Sequence, residues 1–223
     1  MRILVCFANV YDCLPAINAI HKLPCDKLFI EYFPYPQNYF EIEKFLKDKP
    51  EFTHILYVAP DLVIDLDVFN AMVEYISIND PDVYGCCLNV DMEKEKDSIA
   101  ACIKLPELNY GNRRYRWIKE HHRLLMLPSV KVIEVKFNAG FHFIKRKIKD
   151  KIPYTTLPYP TDERPIWESR GGYACDLALS HWLNFFDIPI LLDLRHKITH
   201  LRYSGPVLVG KKEPKITFYP YSN

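Results

Sequence analysis

The strongest constraint on this chain is a regular alternation, over its first ninety residues, of short unbroken apolar runs with amphipathic helical patterns. The first run, Arg-Ile-Leu-Val-Cys-Phe-Ala at residues 2–8, is closed by the loop formers Asn9, Asp12 and Pro15. A run that is short and apolar on both alternating faces suits a strand covered on both sides, the usual situation in a parallel sheet. A helix is predicted over 14–21, with Pro15 in its first turn, where a missing N–H costs least. Residues 27–32 predict a second strand. After Pro34 and Pro36, Asn38 with Glu41 three residues on gives a capping-box-like start to a helix reaching about residue 49, with Ile42, Phe45 and Leu46 on its inner face. Residues 54–59 form a third buried run, and 65–77 a helix with Phe69, Met72, Val73 and Ile76 at i, i+3, i+4 and i+7. Residues 83–88 complete the series as a fourth strand.

Strand followed by helix three times, with short connections, implies right-handed crossovers and a sheet sandwiched by helices. The expected fold class is α/β, a three-layer sandwich around a mostly parallel central sheet. At 223 residues a single domain fits, residues 1–105 forming a nucleotide-binding half and 106–223 a second half. The second half is less regular. Residues 100–104 are strand-like, 113–126 read as a basic helix, 130–137 alternate as a half-buried strand, and Asn138-Ala139-Gly140 turns into a strand over 141–145. A loop with Pro153, Pro158, Pro160 and Pro165 is too long to be only a connector and reads as a lid. A helix over 173–186, strands over 188–194 and 197–202, and a Pro-containing tail follow.

Composition excludes several function classes. Lys plus Arg is 29 against 28 for Asp plus Glu, so the formal charge of +1 supplies no electrostatic footprint for gripping duplex nucleic acid. Asp61, Asp65 and Asp67 interrupt the most apolar stretch well short of a membrane span, and the initial apolar run is too short for a signal peptide, so a cytoplasmic location is expected. Seven Cys without a CxxC pair point to buried small hydrophobes, neither a disulfide framework nor a thiolate zinc site. One Gln, 4 Met, 15 Tyr and 17 Pro match the bias of proteins from hot environments.

Ligands of an open parallel sheet bind beyond the carboxyl ends of its strands, so Ala8, Asn9, Glu31 and residues 59–61 should converge on one crevice. Neither GxGxxG nor GxxxxGK[ST] follows the first strand, which argues against a Rossmann dinucleotide site and a P-loop. Asp61, just past a buried strand, is placed to hold a divalent cation against a diphosphate, or else is a turn aspartate bonded to its own backbone. Asp65-Leu66-Asp67 spells DxD but lies at a helix onset, where capping and dipole complementarity explain both acids. Asp176 follows Gly171 and Gly172 and opens an amphipathic helix. His200 ends the last strand, and the adjacent His121 and His122 are expected to point apart on a helix.

In order and context the chain resembles the nucleotide-sugar-dependent glycosyltransferases of the GT-A fold, especially the family 2 type. The stretch His54-Ile-Leu-Tyr-Val-Ala-Pro-Asp61-Leu-Val-Ile-Asp-Leu-Asp-Val-Phe looks like that family's strand, acidic metal loop and following helix. Phe137-Asn138-Ala139-Gly140-Phe141-His142-Phe143-Ile144-Lys145-Arg146 looks like its later Gly-containing strand, and Cys175-Asp176, then Phe186-Asp187-Ile188-Pro189-Ile190 and His200, like its closing segment.

The resemblance implies a GT-A-like domain whose second half carries the acceptor and the catalytic base. It implies a nucleotide-sugar donor over the first strand ends, with Ala8, Asn9, Glu31, Asp61, Asn138 and Gly140 as substrate-binding residues, and Mn or Mg held by Asp61 and His200. It makes Asp176 the general base for an acceptor hydroxyl, with inversion at the anomeric carbon. Ala59 takes the place of the first DxD acid, and Cys175 that of the acid before the base. Those departures keep two alternatives open, a nucleotidyltransferase on a similar nucleotide half and a non-enzymatic binding scaffold of the same fold.

Overall fold

In the computed structural model the chain is described over residues 1–34, 37–88, 98–104, 115–138, 141–152, 175–201 and 205–222. The predicted alternation is present. β1 (Ile3–Asn9), buried along its whole length, leads through α1 (Leu14–His21) to β2 (Asp26–Glu31), and through α2 (Gln37–Lys47) to β3 (His54–Val58). β1 pairs in parallel with β2 on one side and β3 on the other. The two-residue β4 (Leu62–Val63), α3 (Leu66–Asn79) and β5 (Val83–Leu88) follow. Pro15 sits in the first turn of α1 as expected. Asp65 occupies the N-cap position of α3 without a side-chain cap bond, so dipole complementarity with Asp65 and Asp67 is what favours that helix start. Asn38 lies inside α2, one residue past its start, and its Oδ1 accepts from the Tyr39 N–H at 3.0 Å.

Beyond β5 come β6 (Ser98–Lys104), β7 (Tyr115–Lys119), α4 (Glu120–Met126), β8 (Val132–Val135), β9 (Phe137–Asn138) and β10 (Phe141–Lys145). α5 (Arg146–Lys149), α6 (Cys175–Phe185), β11 (Ile190–His200) and β12 (Lys215–Tyr219) complete the chain. β7, β6 and β9 form a small antiparallel sheet. The helix expected over 113–126 is thereby confined to α4. Tyr115, Trp117 and Ile118 are β-forming residue types, and sheet pairing with β6 takes them out of the helix.

The main sheet runs β12-β2-β1-β3-β10-β5-β11-β4, with β8 also on β11. It is mixed, not mostly parallel as expected: parallel pairing is confined to β1–β2, β1–β3 and β5–β11. β10 runs antiparallel between β3 and β5, and β12 antiparallel along β2. The stretch after residue 202, read from sequence as a Pro-containing tail, contains β12; it enters the sheet at the edge where β2 ends, with Lys215 opposite Glu31, and so must run back. The proline-rich segment 153–174 lies outside the described residues.

Side-chain alternation feeds a buried cluster on each face of the sheet. Ile3, Val5 and Phe7 join Ile20 of α1 and Phe69 and Met72 of α3 in one. Leu4 and Cys6 join Ile42 and Leu46 of α2 and Leu179 and Leu183 of α6 in the other. Each such fully buried side chain stabilises by about 1.5–3 kcal/mol, which is why the alternating pattern fixes register so firmly. Cys6, Cys13, Cys25, Cys86 and Cys87 are free and buried, as expected. Burial pushes the Cys25 and Cys87 thiols up to about 12, so they are inert near neutral pH.

The two strands expected over 188–194 and 197–202 are one, β11, interrupted by an irregularity. Asp193 lies opposite Cys86, but Cys87 is met only by Lys197, so residues 194, 195 and 196 are extra on β11. Two polar clamps hold this bulge. On one side the fully buried Asp193 accepts from the Tyr84 hydroxyl and from Arg195, at 3.0 Å from Nε and 2.6 Å from Nη2. On the other, Arg123 of α4 donates to the Leu194 carbonyl at 2.5 Å and pairs with Glu120 at 2.7 Å. Burial opposes the Asp193 charge, yet the hydrogen bonds from Arg195 and Tyr84 outweigh it and hold the carboxyl below its ordinary value. This contribution is therefore present above the usual aspartate range and is lost as pH falls through the lowered value. We expect Asp193→Ala to cost about 3–5 kcal/mol in urea unfolding, because it orphans a buried hydroxyl and a guanidinium. Tyr84→Phe, which leaves Asp193 its arginine, should cost about 1 kcal/mol. Equal costs would show that the clamp is not organised around the carboxylate.

Candidate functional site

β1, β2, β3, β5 and β11 all end at one edge of the main sheet. Asp61 follows β3 by a turn in which the Leu62 N–H bonds the Ala59 carbonyl at 3.3 Å. β4 pairs antiparallel with the end of β11, placing His200 opposite Leu62, and the Leu201 N–H donates to the Asp61 carbonyl at 3.0 Å. In consequence His200 Nε2 and Asp61 Oδ2 lie 3.0 Å apart, although 139 residues separate them. Both side chains are mostly buried, at 16% and 15% exposed. The turn-aspartate alternative calls for a local backbone partner; the partner of this side chain is His200 instead.

Asn9 and Glu31 meet in register at the ends of β1 and β2, with Asn9 Nδ2 donating to Glu31 Oε1 at 3.5 Å. Asn9 is fully buried, and its Oδ1 has no hydrogen-bond partner among the described residues. Ala8 is buried one residue short of the edge, opposite Ile30. Asn138 is buried on β9, opposite Ala101, and β9 packs against α6. Asp176 is the second residue of α6; its side chain, like Gly140, lies outside the described residues.

Five edge residues were not singled out from sequence as site residues. Tyr11 and Asp12 leave β1 side by side. Burial, then the negative charge of Asp61, pushes the Tyr11 hydroxyl up. Asp12 accepts from the Tyr32 hydroxyl at 2.7 Å and from Lys212 Nζ. Burial works against the Asp12 carboxylate, but the bonds from Lys212 and Tyr32 outweigh it and hold the carboxyl below its ordinary value. Tyr32 adopts φ 62°, a costly conformation for a bulky residue, fixed by its N–H bond to the Asn9 carbonyl at 2.8 Å. Lys212 comes from the C-terminal segment, as does Lys215, whose Nζ is 3.7 Å from Glu31 Oε2. The sequence signals were faint: Gly210 before two lysines marked a turn, with nothing to say where it lands.

A further polar group lies behind the edge. His142 of β10 is buried opposite Tyr57 of β3, and burial lowers its imidazole to about 4. His121 and His122, expected to diverge, hold their rings 4.0 Å apart. Cavities of about 600 Å³, beside Arg2, Asp26 and Tyr221, and about 440 Å³, beside Lys44, Lys47 and Arg146, lie at the opposite edge of the sheet.

The donor set fits a divalent cation only in part. Two donor atoms 3.0 Å apart match the separation of neighbouring ligands around Mn or Mg, about 3 Å for bonds near 2.1 Å. No group of three His, Cys, Asp or Glu suited to a metal occurs among the described residues, and this pair supplies two ligand atoms.

No family model and no curated protein matches the chain. Among solved structures it is similar to A197 from STIV, with a TM-score of 0.50 at 16% identity, over 86% of this chain and 81% of that one. At that identity the likeness concerns the fold alone: a mixed α/β arrangement with a large central sheet. No helix among the described residues is long and apolar enough to cross a membrane.

Two expectations follow. Between about pH 6.5 and 4 the unfolded chain takes up a proton at His142 that the native state refuses, so stability should fall with pH by up to about 1.4 kcal/mol per unit. An NMR titration should find this imidazole neutral at pH 5; protonation near 6.5 would contradict its burial. A double-mutant cycle of Asp61→Asn and His200→Gln should give a coupling of about 1 kcal/mol, and additive effects would mean the contact carries no energy.

Proposed function

We propose that this protein is a nucleotide-sugar-dependent glycosyltransferase with a GT-A-like, three-layer arrangement. The observation that carries the reading is the meeting of Asp61 and His200, two residues remote in sequence, at the edge where β1, β2 and β3 also end. Ligands of such sheets bind beyond the strand carboxyl ends, and Asn9 and Glu31 stand at the same edge. On this reading Asn9 and Glu31 face the base or ribose of the donor. Asp61 and His200 would hold Mn or Mg together with phosphate oxygens, and the ion would offset the charge of the departing diphosphate.

The acceptor hydroxyl oxygen attacks the anomeric carbon while the bond from that carbon to the phosphate oxygen breaks. The electron pair leaves with the nucleoside diphosphate, and the hydroxyl proton passes to the Asp176 carboxylate. Inversion of the anomeric configuration results. Support for Asp176 is its place at the start of α6, the helix that packs on the strand carrying Asn138. A positioned base contributes about 100- to 10,000-fold.

A nucleotide sugar, screened as UDP- and GDP-linked forms with Mn, should raise Tm by roughly 5–10 °C at about a hundred times Kd. Asp176→Asn should lower transfer by about 100- to 10,000-fold while leaving that shift intact. Undiminished transfer would remove Asp176 as the base. Pyrophosphate release from a nucleoside triphosphate would favour the nucleotidyltransferase alternative, and absence of any nucleotide-induced shift would favour a binding scaffold.

A further inference from the structure

We infer that Lys212, delivered by the C-terminal segment, is a donor-binding residue that takes the diphosphate of the nucleotide sugar. The inference rests on the glycosyl-transfer reading above and adds to it a positive charge from a part of the chain that the resemblance leaves out.

The segment is built to reach the edge. The Leu208 N–H donates to the Val10 carbonyl at 2.9 Å, pinning the approach onto the loop that leaves β1. Gly210, at φ 74°, supplies the left-handed residue of a tight turn closed by bonds from the Lys211 and Lys212 N–H groups to the Leu208 carbonyl, at 2.9 and 3.1 Å. Three residues on, Lys215 enters β12 opposite Glu31, the last residue of β2. Between the two anchors the chain passes over the ends of β1 and β2, and Lys212 is carried there with it.

At that place the ammonium is oriented without being used up. It pairs with Asp12, lies 3.3 Å from the Tyr32 hydroxyl and sits over the Tyr32 ring, 5.0 Å from its centroid. An ammonium has three N–H donors, so two contacts leave one free, and the side chain remains 46% exposed. Asn9, the buried strand-end residue whose Oδ1 lacks a partner among the described residues, stands three residues before Asp12 on the same strand exit. Asp12 also adjoins Tyr11, which feels the charge of Asp61. A ligand lying over the ends of β1 and β2 and reaching toward Asp61 would run along the Tyr11–Asp12 loop, which Lys212 engages through Asp12. The ligand class this suits carries a base or sugar at one end and adjacent phosphates at the other, a nucleoside diphosphate group. The positive charge compensates for Ala59, which leaves the metal loop one acid short.

The test compares wild type, Lys212→Met and Lys212→Arg by calorimetric titration with UDP and GDP, and with uridine and guanosine, each with and without Mn. Binding of the preferred diphosphate should weaken by about tenfold or more in Lys212→Met and be partly restored in Lys212→Arg, while the parent nucleoside binds all three alike. A residue that merely latches the tail would weaken nucleoside and diphosphate equally, and that result, or unchanged diphosphate binding in Lys212→Met, would overturn the inference and leave the glycosyl-transfer reading standing. Failure of wild type to bind any of these diphosphates, with or without Mn, would sink both. A second measurement avoids the variants altogether: in the wild-type protein the diphosphate should slow acetylation of Lys212 by acetic anhydride, read by mass spectrometry, and leave Lys22 unaffected. Equal labelling with and without the bound diphosphate would refute the contact.

Discussion

The bulge in β11 decides which residues reach the strand-end edge, and the rest of the site depends on it. Continued without interruption, the pairing that sets Asp193 against Cys86 would bring the chain to the end of β5 three residues early. The position now held by His200 would then belong to Lys197. Three extra residues carry a chain that would not store them unaided, since each leaves backbone groups without ladder partners. Asp193 and Arg123 supply those partners from opposite sides, one through the Arg195 N–H and the other through the Leu194 carbonyl. A charged, fully buried carboxylate in this setting is costly, and it persists because Tyr84 and Arg195 together return what water provided.

Once register is fixed, the edge acquires a simple electrostatic order. Three acids there from the first third of the chain are each matched by a base from the last: Asp12 by Lys212, Glu31 by Lys215 and Asp61 by His200. Because these pairs are only partly buried, each is weak as a stabilising contact. Their effect is positional. They fasten the C-terminal segment across the ends of β1 and β2. On the glycosyl-transfer reading, a ligand that carries both phosphate and a counter-ion would meet these charges already oriented.

Much of the fold was legible because the N-terminal half obeys local rules. Residues 14–21 and 83–88 carry unambiguous periodicity, and α1 and β5 occupy those bounds. Legibility failed where pairing is decided at long range. Residues 115–119 hold charged and aromatic residues together, and only antiparallel pairing with β6 makes them a strand. The run Lys215–Tyr219 looked like tail because its faces are mostly exposed, and an edge strand gains its partner from β2 alone. The same division holds for the site. Asp61 could be nominated because it follows an apolar strand, His200 through the family resemblance, and they meet. Lys212 and Asp12 could not, since a lysine beside a turn glycine and an aspartate in a loop are ordinary, and their pairing spans 200 residues.

The loss of the first acid at Ala59 changes how a cation would be held on the glycosyl-transfer reading. A loop with two carboxylates can bind a divalent ion before substrate arrives; Asp61 with a neutral imidazole offers half that negative charge and two ligand atoms. An octahedral ion would need four more oxygens, and a diphosphate can provide two of them along with the missing charge. Asp61 and His200 would then hold the ion jointly with phosphate oxygens, and Lys212 would add positive charge for the same diphosphate. On that reading the ion would load with its donor and not ahead of it, because Ala59 leaves the loop one acid short.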